Sequence, residues 1–301
     1  MSSATTAFGP GKVILLGEHG VVYGHPALAG PISRGVLASG TPASACRLAL
    51  PPKVTPAVGA QLTRAFDRVA KLAGRPKIEV SLETDLPTSM GLGSSGAMAV
   101  AVARLLLQAR GTVVKQRELE ALALEMEKEF HGTPSGVDHT TSARNELVLF
   151  QRGRATVLKS SKPLKVLIAL AGARGSTKAT VAELRARQAR WPTRYRRIFN
   201  EIGAVVRDGA SAVRAGDLEA LGDAMNVNQG LLSALRLSSA PIDAMVHRLR
   251  AAGALGAKLT GAGGDGGAVI GLFPEPEPTV VRLRKEGITC FTSQLSGPRA
   301  L

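Results

Sequence analysis

Pro87-Thr-Ser-Met-Gly-Leu-Gly-Ser-Ser-Gly96 opens a run of small and apolar residues that continues to Arg110. Gly91, Gly93 and Gly96 satisfy the pattern G-x-G-x-x-G, which has several structural meanings. In a dinucleotide-binding fold the first glycine follows directly on a strand, and an acidic residue ends the next strand about 20 residues on. Here Pro87-Thr-Ser-Met90 intervenes, and the residues after Arg110 read as another helix. No Gly-Lys-Ser/Thr follows, so the loop is not a Walker A sequence. A protein-kinase loop joins two strands, whereas this one opens a helix. What fits is a glycine segment whose serines, Ser94 and Ser95, start a buried helix. Free N–H groups and the positive helix end would receive phosphate, and a serine hydroxyl could cap the helix or ligate a metal. The plain alternative is a tight turn with a serine cap.

Outward from this loop the periodicity predicts a mixture of elements. Lys12-Val-Ile-Leu-Leu-Gly17 is an apolar run suited to a buried strand. Leu62, Phe66, Val69 and Leu72 recur at steps of three and four, which predicts an amphipathic helix over 61–73. Ile78, Val80 and Leu82 alternate with polar residues as a half-exposed strand does. Helices are expected from Ser94 to Arg110, apolar almost all round and hence central, and over 115–131. A hairpin follows (Leu147 to Phe150, Ala155 to Leu158), then a strand from Lys165 to Ala171. Residues 177–252 are almost wholly helical, interrupted at Trp191-Pro192, Gly216-Asp217 and Ser238 to Pro241. Strands from Ala268 to Phe273 and Ile288 to Thr292 flank a short helix. Without a strict βαβα rhythm the expected class is α+β. A length of 301 residues favours two domains, placed at 1–160 and 161–301.

Bulk composition narrows the function little. Hydrophobic content of 45% and charge of 20% are those of a globular chain. No stretch reaches the ~20 apolar residues of a membrane span, and the first residues lack a signal-peptide pattern, so a cytoplasmic protein without membrane attachment is expected. Cys46 and Cys290 form no metal-ligand spacing and read as reduced. The net charge of +15 permits nucleic acid as a partner, but aromatic residues are only 3% and the basic residues are scattered, so none is expected. Arg185 to Arg197 reads as a solvated helix face. A basic nucleic-acid-binding module would explain the charge but not the motifs that follow.

Four segments together resemble the ordered motifs of the GHMP kinases: Pro10-Gly-Lys-Val-Ile-Leu-Leu-Gly-Glu-His-Gly-Val-Val-Tyr-Gly24, Leu86 to Gly96, His131-Gly-Thr-Pro-Ser-Gly-Val-Asp138, and Lys258-Leu-Thr-Gly-Ala-Gly-Gly264. The first and third are most similar to the mevalonate kinase branch. The resemblance implies a two-domain GHMP kinase fold, with a ribosomal protein S5 domain 2-like N-terminal domain and a ferredoxin-like C-terminal domain. It also implies transfer of the γ-phosphate of ATP to the primary alcohol of mevalonate with Mg²⁺, and a homodimer. Asp138 matches the family's candidate base and Lys12 the lysine beside it. Ser95 and Glu127 match the metal ligands, and Pro87, Gly91, Leu92, Gly93, Ser94, Ser95 and Gly96 the ATP loop. Glu18, His19 and Thr177, with Lys12 and Asp138, match the substrate side, and Gly261, Gly263 and Gly264 the C-terminal glycine loop. Arg144, Arg152 and Arg174 are candidates for the substrate carboxylate.

Glu125 and Glu129 flank Glu127, so a surface charge run competes with the ligand reading. Two departures bear on the acceptor. His139 follows Asp138 where the branch usually has Asn. Asp265 puts a carboxylate in the last loop where glycine is common, somewhat as in phosphomevalonate kinases, the first rival assignment. An anion there must point away from phosphates or help hold metal.

Overall fold

The computed structural model describes residues 5–52, 54–87, 90–172 and 177–295, with backbone alone for 177 and 178. The chain divides into two units. The first gathers Met1–Lys12, Ser33–Leu86 and Gly93–Asn145, and the second Val13–Ile32, Pro87–Leu92 and Glu146–Leu301. Two long paired strands, β1 (Thr5–Leu16) and β2 (Ala27–Pro42), run through both.

The first unit adds β3 (Arg47–Leu48), α1 (Pro56–Leu72), β4 (Ile78–Thr84), α2 (Ser94–Ala109), α3 (Gln116–His131) and α4 (Val137–Arg144). β4 lies antiparallel to β2, Val36 opposite Thr84 and Pro42 opposite Ile78, and β3 runs parallel to β4. α1 starts where Thr55 accepts a hydrogen bond from the Val58 amide and Pro56 occupies the first turn, two standard start signals. Its Phe66 and Val69 turn inward. α2 is the central helix expected from its all-round apolar sequence, packed against α3 and α4. The Arg104 guanidinium on α2 donates to the carbonyls of Phe8 and Ala143, joining β1 and α4 to this helix.

The second unit holds a short 3-10 turn (Gly20–Tyr23), β5 (Val148–Gln151), β6 (Arg154–Val157), β7 (Lys165–Gly172), α5 (Thr177–Arg190), α6 (Pro192–Ala215), α7 (Leu218–Ala234), α8 (Ala240–Ala251), β8 (Gly256–Thr260), β9 (Gly266–Leu272), α9 (Glu277–Lys285) and β10 (Cys290–Gln294). β5 pairs with the start of β2 and forms a hairpin with β6. The remaining four strands make an antiparallel sheet in the order β10-β7-β9-β8. Numbered by their own succession these strands run 4-1-3-2, with helices after the first and third, which is the ferredoxin-like arrangement the resemblance implied. Phe199, Ile202, Leu232, Leu249, Leu259 and Val269 join helices to sheet in one core. The helix breaks fall at Trp191, Gly216 and Ser239, close to the turn residues that predicted them.

Three of the differences from the sequence reading concern the strands β1, β2 and β10. β1 begins at Thr5, well before Lys12. Nothing in the periodicity of 27–42 announces β2, a strand of 16 residues interrupted by Pro31, Gly30, Gly35 and Gly40. It is a strand because β1, β4 and β5 pair with it, so tertiary pairing overrides weak local preference. The last strand spans Cys290–Gln294, two residues later than expected, in register with β7 from Ala169 to Lys165.

Arg185, Arg190, Arg194, Arg196 and Arg197 are exposed, as a solvated helix face requires. Among the described residues no helix is long and apolar enough to cross a membrane. In urea unfolding, Phe66→Ala should remove about 3–5 kcal/mol of stability because it empties a fully buried site. Arg197→Ala should stay within about 0.5 kcal/mol.

Candidate active site

The first unit brings Lys12 and Asp138 together. Lys12 Nζ lies 3.1 Å from Asp138 Oδ1, with the lysine side chain 4% exposed and the aspartate 29%. Asp138 sits in the first turn of α4, where the helix dipole favours a carboxylate. The stem of Lys12 runs beneath the start of α2. A Cβ on Gly93 would meet Lys12 Cγ at 2.8 Å, and Gly93 has the left-handed φ of 72°. Gly96, one turn on, faces Asp138 so closely that a Cβ would lie 3.1 Å from the aspartate Cβ. Both glycines are therefore fixed by the pair: any side chain would push α2 off Lys12 or off Asp138. Gly93 also leaves the N-cap of α2 without a side-chain hydrogen bond, so the amides of the first turn keep their capacity for an anion.

Glu127 points inward from α3 and is buried. Glu125 pairs instead with Arg68 and Lys128, and Glu129 with Arg68. The glutamates at 125 and 129 form the surface run and the one at 127 does not, because residues two apart on a helix face away from each other. Glu127 Oε1 has no hydrogen-bond partner among the described residues. It lies 3.9 Å from His131 Nε2, which in turn is 2.9 Å from Ser95 Oγ. His139 Nδ1 approaches Glu127 Oε2 at 3.8 Å. A buried carboxylate oxygen without a donor, with a serine hydroxyl sharing its histidine neighbour, is a donor set that fits a hard divalent cation. One carboxylate and one hydroxyl suit Mg²⁺, which keeps most of its shell as water and phosphate oxygen. Among the described residues no cluster of three or more His, Cys, Asp or Glu could form an all-protein cage.

The second unit carries Glu18, His19 and the C-terminal glycine loop. Glu18 is fully buried in an ion pair with Lys258, and its Oε2 accepts from Asn228 Nδ2 at 3.1 Å. His19 Nε2 lies 2.9 Å from the carbonyl of Ala262, so the Nε2–H tautomer donates and Nδ1 is left as an acceptor. Burial pushes the His19 pKa below its usual 6.5, against the raising effect of the Ala262 bond, and Arg187 lowers it further. Gly91 packs against the Thr260 carbonyl and Gly261, and Gly264 N donates to Leu237 O at 2.9 Å. Leu92 is buried and Pro87 half-buried, while Ser94 stands in the first turn of α2. Asp265 is exposed to solvent.

The candidates for a carboxylate clamp separate. Arg144 pairs with Glu120 at 2.8 Å. Arg152 is exposed in the β5–β6 turn beside Gly24. Arg174 lies outside the described residues, as do Thr88, Ser89 and the side chain of Thr177. Lys258 and Asn228 carried no role in the sequence reading, although Lys258 opens the fourth motif. The one available signal was a lysine in an otherwise apolar strand.

Residues 60–146 match the GHMP kinases N terminal domain and residues 210–286 the GHMP kinases C terminal domain. The chain belongs to the GHMP kinase family and is an ATP-dependent small-molecule kinase. Within that family it is 34% identical to the mevalonate kinase of Aeropyrum pernix, over 92% of this chain and 91% of that protein. Its structure is similar to that of L. major mevalonate kinase in complex with R-mevalonate, with a TM-score of 0.83, 26% identity and coverage of 98% and 97%. The Methanococcus jannaschii mevalonate kinase gives a TM-score of 0.82 at 26% identity, with coverage of 98% and 99%.

The histidine chemistry sets a pH dependence. A folded-state pKa below the unfolded value means that the unfolded chain binds a proton the native His19 refuses. Stability should therefore decline as pH falls below about 6.5. The slope in a Tm-against-pH series should be shallower for His19→Gln, with the remainder assigned in part to His25, whose pKa burial also lowers.

Proposed function

We propose that this GHMP kinase is a mevalonate kinase, converting mevalonate and ATP to 5-phosphomevalonate and ADP in isoprenoid biosynthesis. The observation that carries the chemistry is the Lys12–Asp138 pair at 3.1 Å, set against the first turns of α2 and α4. The acceptor is inferred from the mevalonate kinases to which the chain is similar, together with the segments Gly17 to Gly24 and Thr133 to Asp138.

Phosphoryl transfer asks the protein for positioning and charge complementarity more than for covalent chemistry. In this reading Asp138 accepts the proton of the primary alcohol as its oxygen attacks the γ-phosphorus. The new O–P bond forms, the bond to the β-phosphate oxygen breaks, and ADP leaves with the electron pair. Lys12 holds Asp138 in place, and its ammonium balances negative charge developing on the alkoxide. The amides of the glycine loop and of the first turn of α2 receive the phosphates. Ser95 and Glu127 would hold Mg²⁺, which when bound neutralises charge on the β- and γ-phosphates. His19 would contribute its Nδ1 acceptor to the substrate side, and Thr177 a hydroxyl. The glycine loop at Gly261, Gly263 and Gly264 allows close backbone approach.

ADP release measured with Mg-ATP and mevalonate, phosphomevalonate or galactose should give the highest kcat/KM for mevalonate. Asp138→Asn should lower kcat by about 10²–10⁴-fold, the range for losing a general base. Preferential turnover of phosphomevalonate would overturn the acceptor, and a full rate in Asp138→Asn would overturn the base.

A further inference from the structure

His19 has a backbone φ of 59° and ψ of −40°, and the Gly20 amide donates to the Glu18 carbonyl at 2.6 Å. An i to i+2 bond around a residue of positive φ is a γ-turn of the rare, strained kind. A non-glycine residue keeps such a conformation only where its surroundings over-determine it. Here the residue on the N-terminal side supplies the constraint. Glu18 and Lys258 are both 0% exposed and ion-paired. The Lys258 ammonium also donates to the carbonyls of Leu259, at 2.6 Å, and Ile14, at 3.5 Å, so its three protons are used. Asn228 completes the arrangement: its Nδ2 donates to Glu18 Oε2 and its Oδ1 accepts from Gly17 N at 3.4 Å. On the far side of the turn the His19 ring donates to Ala262, in the glycine loop that follows the Lys258 strand. The turn is thus pinned to β8 at Glu18 and to the loop after β8 at His19.

A buried ion pair is a poor source of stability, since an apolar pair of similar volume is often as good or better. Its geometry is what an apolar pair cannot reproduce. We infer that Glu18, Lys258 and Asn228 are positioning residues that hold the His19 turn and the 261–264 loop in register with each other, and that Glu18 acts through this network without touching substrate. This rests on the mevalonate kinase reading for its kinetic consequence, but its structural consequence stands alone.

The test combines the double variant Glu18→Leu/Lys258→Met with Asn228→Ala, which keeps the Glu18–Lys258 ion pair and removes the two Asn228 bonds, to Glu18 Oε2 and from Gly17 N. Readouts are thermal unfolding, amide hydrogen exchange at 17–24 and 261–264, and kinetics with mevalonate and ATP. The double variant should unfold near the wild-type temperature, because both charges leave together. Exchange in both segments should quicken, and KM for mevalonate should rise about tenfold, more than kcat falls, as expected of a displaced substrate contact. Asn228→Ala should show the same pattern more weakly. Wild-type exchange and KM in either folded variant would overturn the inference. Should the double variant fail to fold, Asn228→Ala decides alone. Wild-type protein without turnover of mevalonate would sink the substrate reading and leave the exchange result to judge the network.

Discussion

Lys12 and Asp138 stand 3.1 Å apart at a point where the chain has almost no room to spare. The lysine comes from the middle of β1 and the aspartate from the first turn of α4. Gly93, the N-cap of α2, and Gly96 in its first turn approach Lys12 and Asp138 so closely that no side chain fits between. This contact fixes how strand and helices meet, and the rest of the first unit is arranged to keep it. α2 is apolar on nearly every side, so it cannot rotate to relieve crowding at its start without exposing core. Arg104 ties the same helix to Phe8, four residues before Lys12, and to Ala143 at the end of α4. A charged pair that is nearly buried on the lysine side needs such support, because desolvation offsets much of its attraction.

The other buried charges follow one logic. Glu127, Glu18 and Lys258 are buried, and ionised groups are seldom kept in an interior unless paired or functional. Glu18 and Lys258 satisfy each other. Among the described residues Glu127 keeps an oxygen without a donor, the expected condition of a ligand whose partner is a cation. Lys12, Glu18, His19 and Lys258, all within the sequence motifs, are buried polar side chains.

Much of this was legible in the sequence because the decisive features are local. The α2 boundary follows from Gly93 and the run of small and apolar residues. The inward turn of Glu127 could have been read too: it lies four residues from Ala123 and eight from Leu119, on the buried stripe of α3, whereas Glu125 and Glu129 do not. The helix interruptions at Trp191-Pro192 and Gly216-Asp217 needed only turn chemistry. β2 was illegible because glycine and proline give it little strand preference, and its partners come from distant segments. The Glu18–Lys258 pair joins residues 240 apart, and no spacing in a single sequence points to it. The roles of Lys12 and Asp138 came from resemblance; their adjacency is a structural fact.

If Lys12 and Asp138 work as one device, their contributions to catalysis cannot be independent. A double-mutant cycle on kcat with Lys12→Met, Asp138→Asn and the combined variant, under saturating Mg-ATP and mevalonate, tests this most directly. The account predicts that the double variant is about as slow as the slower single variant, since removing either member disables the pair. Losses that simply multiply would contradict it, because each residue would then be acting alone.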